Sequence, residues 1–478
     1  MQNRRLLLFV SIVNLVLLGL GAAGPARADS SPETVLTVDQ AIELAVQYNL
    51  KYRLAEGEVQ IAEEKVAQAK TGYRPKVTVS GGVSRLNQMP DIVELGRKLA
   101  ELNNGVYQML GELVQSTGNQ LSPYYSAYQQ MGFKEGPDDG LTYYSLKLQV
   151  EQPLYTGGKL TALNEQARNN RKYSQLNLDT VEQDLILEVK KAYYTVLQTQ
   201  QMLTTMNEAV AGMENHVREA ELYYQAGIVP QLDVLRTEVK LADIKQKRLT
   251  VQNGLNLAKT YFNFVLGVDQ EKHYRFQDEV AYTPFGQDLA GCQQTALANR
   301  TELKAIQAKV AMAENAVTIA KSAKKPLVAL IASGDRTATE PFEDDPDLSL
   351  SLVAKYNLYD AGMVKHQVAE AEATVRQART GEELAIRGIK LEVEQAYRNL
   401  QNALETIEVS KKVLSQAQET VRMAGISFQA GLSTSLELVD AETGLTQAKT
   451  NYNQALSNYQ IALAQLERAI GTKRRKQS

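Results

Sequence analysis

The chain has 478 residues, with 52 Lys and Arg against 55 Asp and Glu, one Cys and no Trp. This slightly acidic balance excludes the basic surface that a nucleic-acid partner needs, and the single Cys292 excludes an internal disulfide. The length allows two or three domains, and a composition rich in Ala, Gln, Glu and Lys with 6% aromatics is that of long helices.

The first predicted element is a secretory signal over residues 1–28. Arg4 and Arg5 form its basic start, Leu6 to Leu20 its apolar core, and Ala26-Arg27-Ala28 a small-x-small cleavage site. Without Arg4, Arg5 and Arg27 the remainder carries 49 basic and 55 acidic residues, ordinary for an exported protein. No cysteine immediately follows the cleavage site, so no lipid anchor is expected. No later run reaches 18 apolar residues, so any part embedded in a membrane must consist of strands.

The rest is written twice. Gly158–Gly267 aligns with Gly362–Gly471 at a constant offset of 204, placing Ala192-Tyr193 on Ala396-Tyr397 and Gln225-Ala226-Gly227 on Gln429-Ala430-Gly431. The preceding segments match at an offset of 251, where Ala45, Ala62, Lys70 and Pro75 meet Ala296, Ala313, Lys321 and Pro326. The first copy therefore carries an insertion of 47 residues between Arg85 and Thr142. One structural module is used twice: residues 29–286 form the first repeat, 287–471 the second, and 472–478 a basic tail.

In the first repeat, helices are predicted at about 37–70, 158–226 and 230–267, strands at about 76–85 and 143–154, and an outward insertion at about 86–141. In the second, helices fall at about 287–321, 362–430 and 434–470 and strands at about 327–335 and 347–358. Leu348, Leu350, Leu352, Ala354, Tyr356 and Leu358 alternate with Ser349, Ser351, Val353, Lys355 and Asn357. Tyr144, Leu146, Leu148 and Val150 alternate with Ser145, Lys147, Gln149 and Glu151. A soluble sheet shares this period, yet four such strands in an exported, otherwise helical chain favour strands that cross a bilayer. Tyr73, Tyr155 and Tyr359 near one set of strand ends, and Tyr124, Tyr125, Tyr143 and Tyr144 near the other, suit its two interfaces.

No proline interrupts the 69 residues from Gly158 to Ala226. A heptad line of Val189, Val196, Leu203, Val210 and Val217 runs beside Ala192, Met206, Met213 and Ala220, and Val393, Leu400, Ile407, Leu414 and Val421 repeat it. A sustained seven-residue period requires supercoiled neighbours. The return helix Pro230–Leu266 and the leading helix of the second copy together match the long helix in length. They are expected to stack end to end, with Val268–Gly286 bulging out where they meet.

These features resemble the TolC family of outer-membrane factors. The most specific pieces are Pro153-Leu154-Tyr155-Thr156-Gly157-Gly158 and Asn357-Leu358-Tyr359-Asp360-Ala361-Gly362, with the helix-tip segments Tyr223–Leu235 and Ser427–Ala441. The resemblance implies a mainly α fold with membrane β: a homotrimeric 12-stranded β-barrel, four strands per chain, continued by a long α-helical periplasmic barrel of coiled-coil helices. Strand chemistry agrees, because four strands cannot close a barrel and open edges are not tolerated in lipid. The implied role is the exit duct of a tripartite efflux pump or type I secretion system, in the Gram-negative outer membrane with a large periplasmic portion. Its implied partners are outer-membrane lipid, a periplasmic adaptor (membrane fusion protein) and an inner-membrane transporter of RND, ABC or MFS type. Neither cofactor nor metal is implied.

Gly227 and Gly431 stand where left-handed residues end the long helices. Pro230 fits the first turn of the next helix, and Thr434-x-x-Glu437 reads as a capping box. An ordinary helical hairpin explains these turns locally; the resemblance places them at the periplasmic mouth. Gly227, Ile228, Val229, Gly431 and Leu432 are the candidate adaptor contacts. Pro153, Gly157, Gly158 and Gly362 are the candidate strand-to-helix turns. Asp233, Arg236, Glu437, Asp440, Phe428 and Ser433 are the candidate constriction. Glu437 and Asp440 share a helical face, and a ring of carboxylates from three chains favours cations, although the helix dipole alone also favours acids there. Arg236 occupies the position equivalent to Asp440 and could pair with an acid. Phe428 and Ser433 stand where some relatives carry Tyr and Arg side chains that bond across to the other hairpin, so a lock here needs another partner.

No phosphate loop, serine elbow or metal spacing is present, so an enzyme is disfavoured. His216, His273 and His366 are scattered, and His216-x-x-Glu219 reads as a solvated helix face. The competing function is a soluble periplasmic coiled-coil adaptor or stalk without a pore, which would not need lipid-length amphipathic hairpins.

Overall fold

The computed structural model describes residues 35–86, 141–277, 282, 285–338, 347–430 and 432–472. The signal segment, nearly all of the outward insertion with Tyr124 and Tyr125, Pro284, Gly431 and the tail from residue 473 lie outside them. Two compact units emerge, one from residues 54–180 and 300–389, the other from 1–53, 181–299 and 390–478. Each unit draws on both repeats, so neither repeat is a compact body by itself.

The first unit contains a four-stranded antiparallel sheet of β2 (Lys76–Leu86), β3 (Leu141–Tyr155), β5 (Leu327–Ala338) and β6 (Asp347–Lys355), in that order. Register gives the two faces opposite chemistry. Val79, Leu148, Gly334 and Leu348 form one cross-strand row, and Val77, Val150, Ala332 and Leu350 the next. The other face carries Thr78, Gln149, Ser333 and Ser349, then Ser80, Lys147, Asp335 and Asp347. It is knitted by a Lys147–Asp335 ion pair of 3.2 Å and a Ser333–Ser349 hydroxyl contact of 2.9 Å. Leu348 and Leu350 are 83% and 72% exposed, so the apolar face has no cover among the described residues. β6 stops at Lys355, short of the expected 358, because its partner β5 begins only at Leu327, opposite Lys355. A register irregularity falls between Pro153 and Tyr155, as expected for a residue that cannot donate to the ladder.

Two long helices of 67 residues, α3 (Lys159–Gln225) and α7 (Met363–Gln429), contribute to both units. Their return helices are α4 (Gln231–Leu266) and α8 (Ser435–Ala469). Each expected leading helix is divided: α1 (Val38–Tyr48) and α2 (Leu50–Thr71) break at Asn49, and α5 (Leu289–Asn299) and α6 (Thr301–Ser322) at Arg300. Asn49 is extended, and its Oδ1 accepts from the backbone of Lys51 (2.8 Å) and Tyr52 (3.3 Å), capping α2. Its Nδ2 donates to the Val265 carbonyl at 2.7 Å, one of the orphan carbonyls at the end of α4.

That contact corrects the expected stacking. The backbone of Tyr48 and Asn49 lies directly against Gly267, so α4 abuts the leading helix of its own copy rather than that of the next. Helix lengths could not discriminate, since both copies have leading segments of equal reach. The loop after α4 is mostly exposed over its described residues 268–277, as expected, but it is anchored at one point. Strand β4 (Arg275–Phe276) pairs in parallel with β1 (Val35–Leu36). Phe276 is buried against Tyr193 and Phe262, with ring centroids 5.4 and 5.1 Å away. The Tyr193 hydroxyl donates to the Leu36 carbonyl (3.0 Å) and accepts from the Gln277 amide (3.3 Å), tying both short strands to α3.

Candidate functional site

The ends of the long helices are built by one repeated device. Gly227 has φ +74°, its amide donates to the Tyr224 carbonyl (2.9 Å), and the Ile228 amide donates to that of Tyr223 (2.8 Å). This pair of bonds is the Schellman motif, which uses a left-handed residue to satisfy the last carbonyls. In the second copy the Leu432 amide reaches Ser427 at 2.8 Å; Gly431 itself is outside the described residues. The turns expose Ile228 and Leu432, with Val229 half-buried. Pro230 lies one position earlier than expected: it is the N-cap of α4, extended at φ −75° and ψ 156°, rather than its first helical residue. Thr434 caps α8 by accepting from the Glu437 amide at 3.4 Å. The full reciprocal box occurs instead at Thr37 and Gln40, opening α1.

Between α7 and α8 the tip holds a groove of about 810 Å³. Leu432, Ser433, Glu437 and Asp440 line it with Met423, Thr420 and Gly444. The structure thus brings four of the candidate residues to one concave surface, with both carboxylates exposed. Among the described residues neither carboxylate has an ion-pair partner, and the buried Ser433 Oγ has no hydrogen-bond partner. Asp233 and Arg236 are not part of the groove. They pair with each other along α4, Nη1 to Oδ1 at 3.6 Å, so Arg236 does not reach an acid of the second hairpin. Phe428 does bridge the hairpins: its ring meets that of Tyr223 edge-on at 6.0 Å. The contact between the hairpins at Phe428 is thus aromatic.

The reading of His216 as a solvated face is corrected. Its side chain is only 15% exposed, with Nε2 2.8 Å from Glu442 of α8 and Nδ1 3.5 Å from Glu219. The hydrogen bond that the imidazole donates to Glu442 outweighs burial and raises its pKa above the ordinary value. This pair is one rung of a ladder between α3 and α8, with Asp184–Arg468 (2.6 Å), Lys190–Glu467 (2.5 Å) and Glu208–Lys449 (2.7 Å). As position rises in α3 it falls in α8, which fixes an antiparallel register.

At the strand-to-helix turns Gly157, Gly158 and Gly362 have φ of +64°, +92° and +86°. A Cβ on Gly157 would lie 2.8 Å from Lys325 Cβ and 2.9 Å from the Ser322 carbonyl oxygen. Ala361, its counterpart, takes the left-handed conformation as well, at φ +54°. Asp360 beside it accepts from the amides of Gly362 (2.9 Å) and Val364 (3.0 Å). The Val364 amide, then that of Gly362, holds its carboxyl below the usual carboxylate range.

The family of outer membrane efflux proteins matches residues 41–267 and 293–472, which is most of the chain and both repeats. The chain belongs to that family. Among outer membrane efflux proteins it is similar to the outer membrane protein TolC of Salmonella enteritidis, 22% identical over 316 residues, which are 63% of each chain. It is also similar to the outer membrane efflux protein BepC of Brucella suis biovar 1 (strain 1330), 21% identical over 86% of this chain and 79% of that one. The fold is that of CusC, a solved transmembrane channel, with a TM-score of 0.74 at 16% identity over 91% of this chain and 92% of the other. Family membership carries a Gram-negative outer-membrane location.

Proposed function

We propose that this efflux-family protein is a passive exit duct of a tripartite pump or type I secretion system, and that it works as a homotrimer. One observation carries the reading: a four-stranded sheet, apolar on one face and polar on the other, whose outer edges on β2 and β6 have no partner strand among the described residues. Leucines as exposed as Leu348 and Leu350 are costly in water, by ~25 cal/mol per Å² of apolar surface, and suited to lipid. Backbone edges are not tolerated in lipid, so β6 of one chain pairs with β2 of the next, and three chains close twelve strands. The polar face with Lys147 and Asp335 then lines the lumen. No helix among the described residues is long and apolar enough to cross a membrane. The soluble stalk has no use for such a sheet.

In this duct the tips are the periplasmic gate. The groove at Leu432, Ser433, Glu437 and Asp440 and the exposed Gly227–Val229 turn receive the adaptor, and an inner-membrane transporter supplies cargo and energy. Glu437 and Asp440, repeated by the trimer, concentrate cations. The test is planar-bilayer recording of the detergent-extracted protein. A cation-selective conductance is expected, with selectivity reduced at least twofold in E437Q/D440N. Recovery of the mature chain in the soluble periplasm without detergent overturns the duct, and unchanged selectivity removes the two acids from the constriction.

A further inference from the structure

We infer that His216 and Glu442 form a proton-controlled latch that holds the two hairpins of each chain together at the tip. The latch rests on the reading of the tip as the gate and assigns it a chemical control. His216 sits on α3 about three turns, ~17 Å, from Gly227, and Glu442 on α8. Any movement that separates the second hairpin from the first must break their 2.8 Å contact. The neighbouring tip contacts joining the same hairpins are different in kind. Tyr223 on Phe428 is apolar, and Glu208–Lys449 is a pair between permanently charged groups. Of these three contacts only the histidine changes charge near neutrality.

The surroundings favour a switch over a passive bond. On its own helix His216 faces Glu219 at 3.5 Å. From α8 it faces Glu442, and a side chain at Gly212 would meet that same carboxylate at 3.7 Å. From α4, Ile244 and Leu241 close an apolar cluster with Met213 and Val439. The cation beside them, Lys245, is engaged by Glu214 of α3 at 2.7 Å. The imidazole is therefore covered and flanked by two carboxylates, while the lysine is paired with Glu214. Its pKa in the folded chain is raised. The charged bond is then fully present below the ordinary histidine value of ~6.5 and is lost as pH rises through the raised value. Acid tightens the latch and alkali releases it.

The experiment records the open fraction of the purified full-length protein in planar bilayers from pH 5.5 to 8.5 at constant salt. Ordinary carboxylates stay ionised across this window. Wild type should open at least threefold more often at pH 8.5 than at 5.5, with its midpoint above ~6.5. Both H216Q and E442Q should be independent of pH and as open as alkaline wild type. H216K, charged throughout, should be independent of pH and as closed as acid wild type, which shows that the site still folds. A wild-type pH profile in H216Q or E442Q overturns the latch alone. Absence of conductance in every variant at every pH overturns the duct and the latch with it.

Discussion

The two long helices have the same length and matched sequences, yet the chain treats them differently. α3 buries Leu185, Val189, Ala192, Tyr193, Val196, Leu197, Met206, Met213 and Ala220, being flanked by α4 and α8. α7 buries Val393, Ala396, Leu400 and Ile407 on one side and leaves Leu391 and Val409 at 67% and 61% exposure. These two lie five helical turns apart on the same face. A repeated sequence therefore does not carry a repeated environment: α3 is largely covered within the chain, whereas α7 leaves apolar side chains exposed that another subunit can cover.

The largest expected effect breaks this contrast from the α7 side. L391E with V409E should convert the detergent-solubilised trimer to monomers, at a cost of several kcal/mol for burying unpaired charge at an interface. Far-ultraviolet circular dichroism should still show the helices; a trimer that persists means this face of α7 is not an interface. A smaller effect separates the paired tyrosines. Y193F removes the donor to the Leu36 carbonyl in the core and should cost about 1–3 kcal/mol, lowering the denaturant midpoint, while Y397F at the half-buried equivalent should change it by less than about 0.5 kcal/mol. The smallest sharpens the strand-to-helix turns. A361G should stabilise by up to about 1 kcal/mol by relieving a left-handed alanine, and G157A should destabilise, since its methyl collides with Lys325 and Ser322.

What the sequence makes legible follows from period. The alternating strands, the heptad lines and the helix-ending glycines are local signals, and each found its place within a few residues. Family-specific tip segments likewise brought Leu432, Ser433, Glu437 and Asp440 to one groove. The misses needed a partner distant in the chain. Asn49 breaks a helix whose apolar spacing continues through it, and the carbonyl that rewards the break belongs to Val265. Tyr193 carried no periodic signal, and its partners Leu36 and Gln277 sit in strands of two residues, too short for any alternation. His216 looked solvated because periodicity within α3 contains no information on which residue of α8 stands opposite. A register between the hairpins was required, and only the ladder of charged pairs supplies it.

The open edges of the sheet have a consequence for assembly kinetics. If the outer edges of β2 and β6 find their bonds only on other copies, barrel closure is an event of higher molecularity, whereas the four-stranded sheet and the hairpins of α3, α4, α7 and α8 can form at any dilution. Helix content should then appear independently of protein concentration, and the closed trimeric barrel should lag by an interval that lengthens steeply as subunits become scarce. A newly exported chain would spend that interval as a helical body with a dangling amphipathic ribbon, the state most exposed to periplasmic proteases and chaperones.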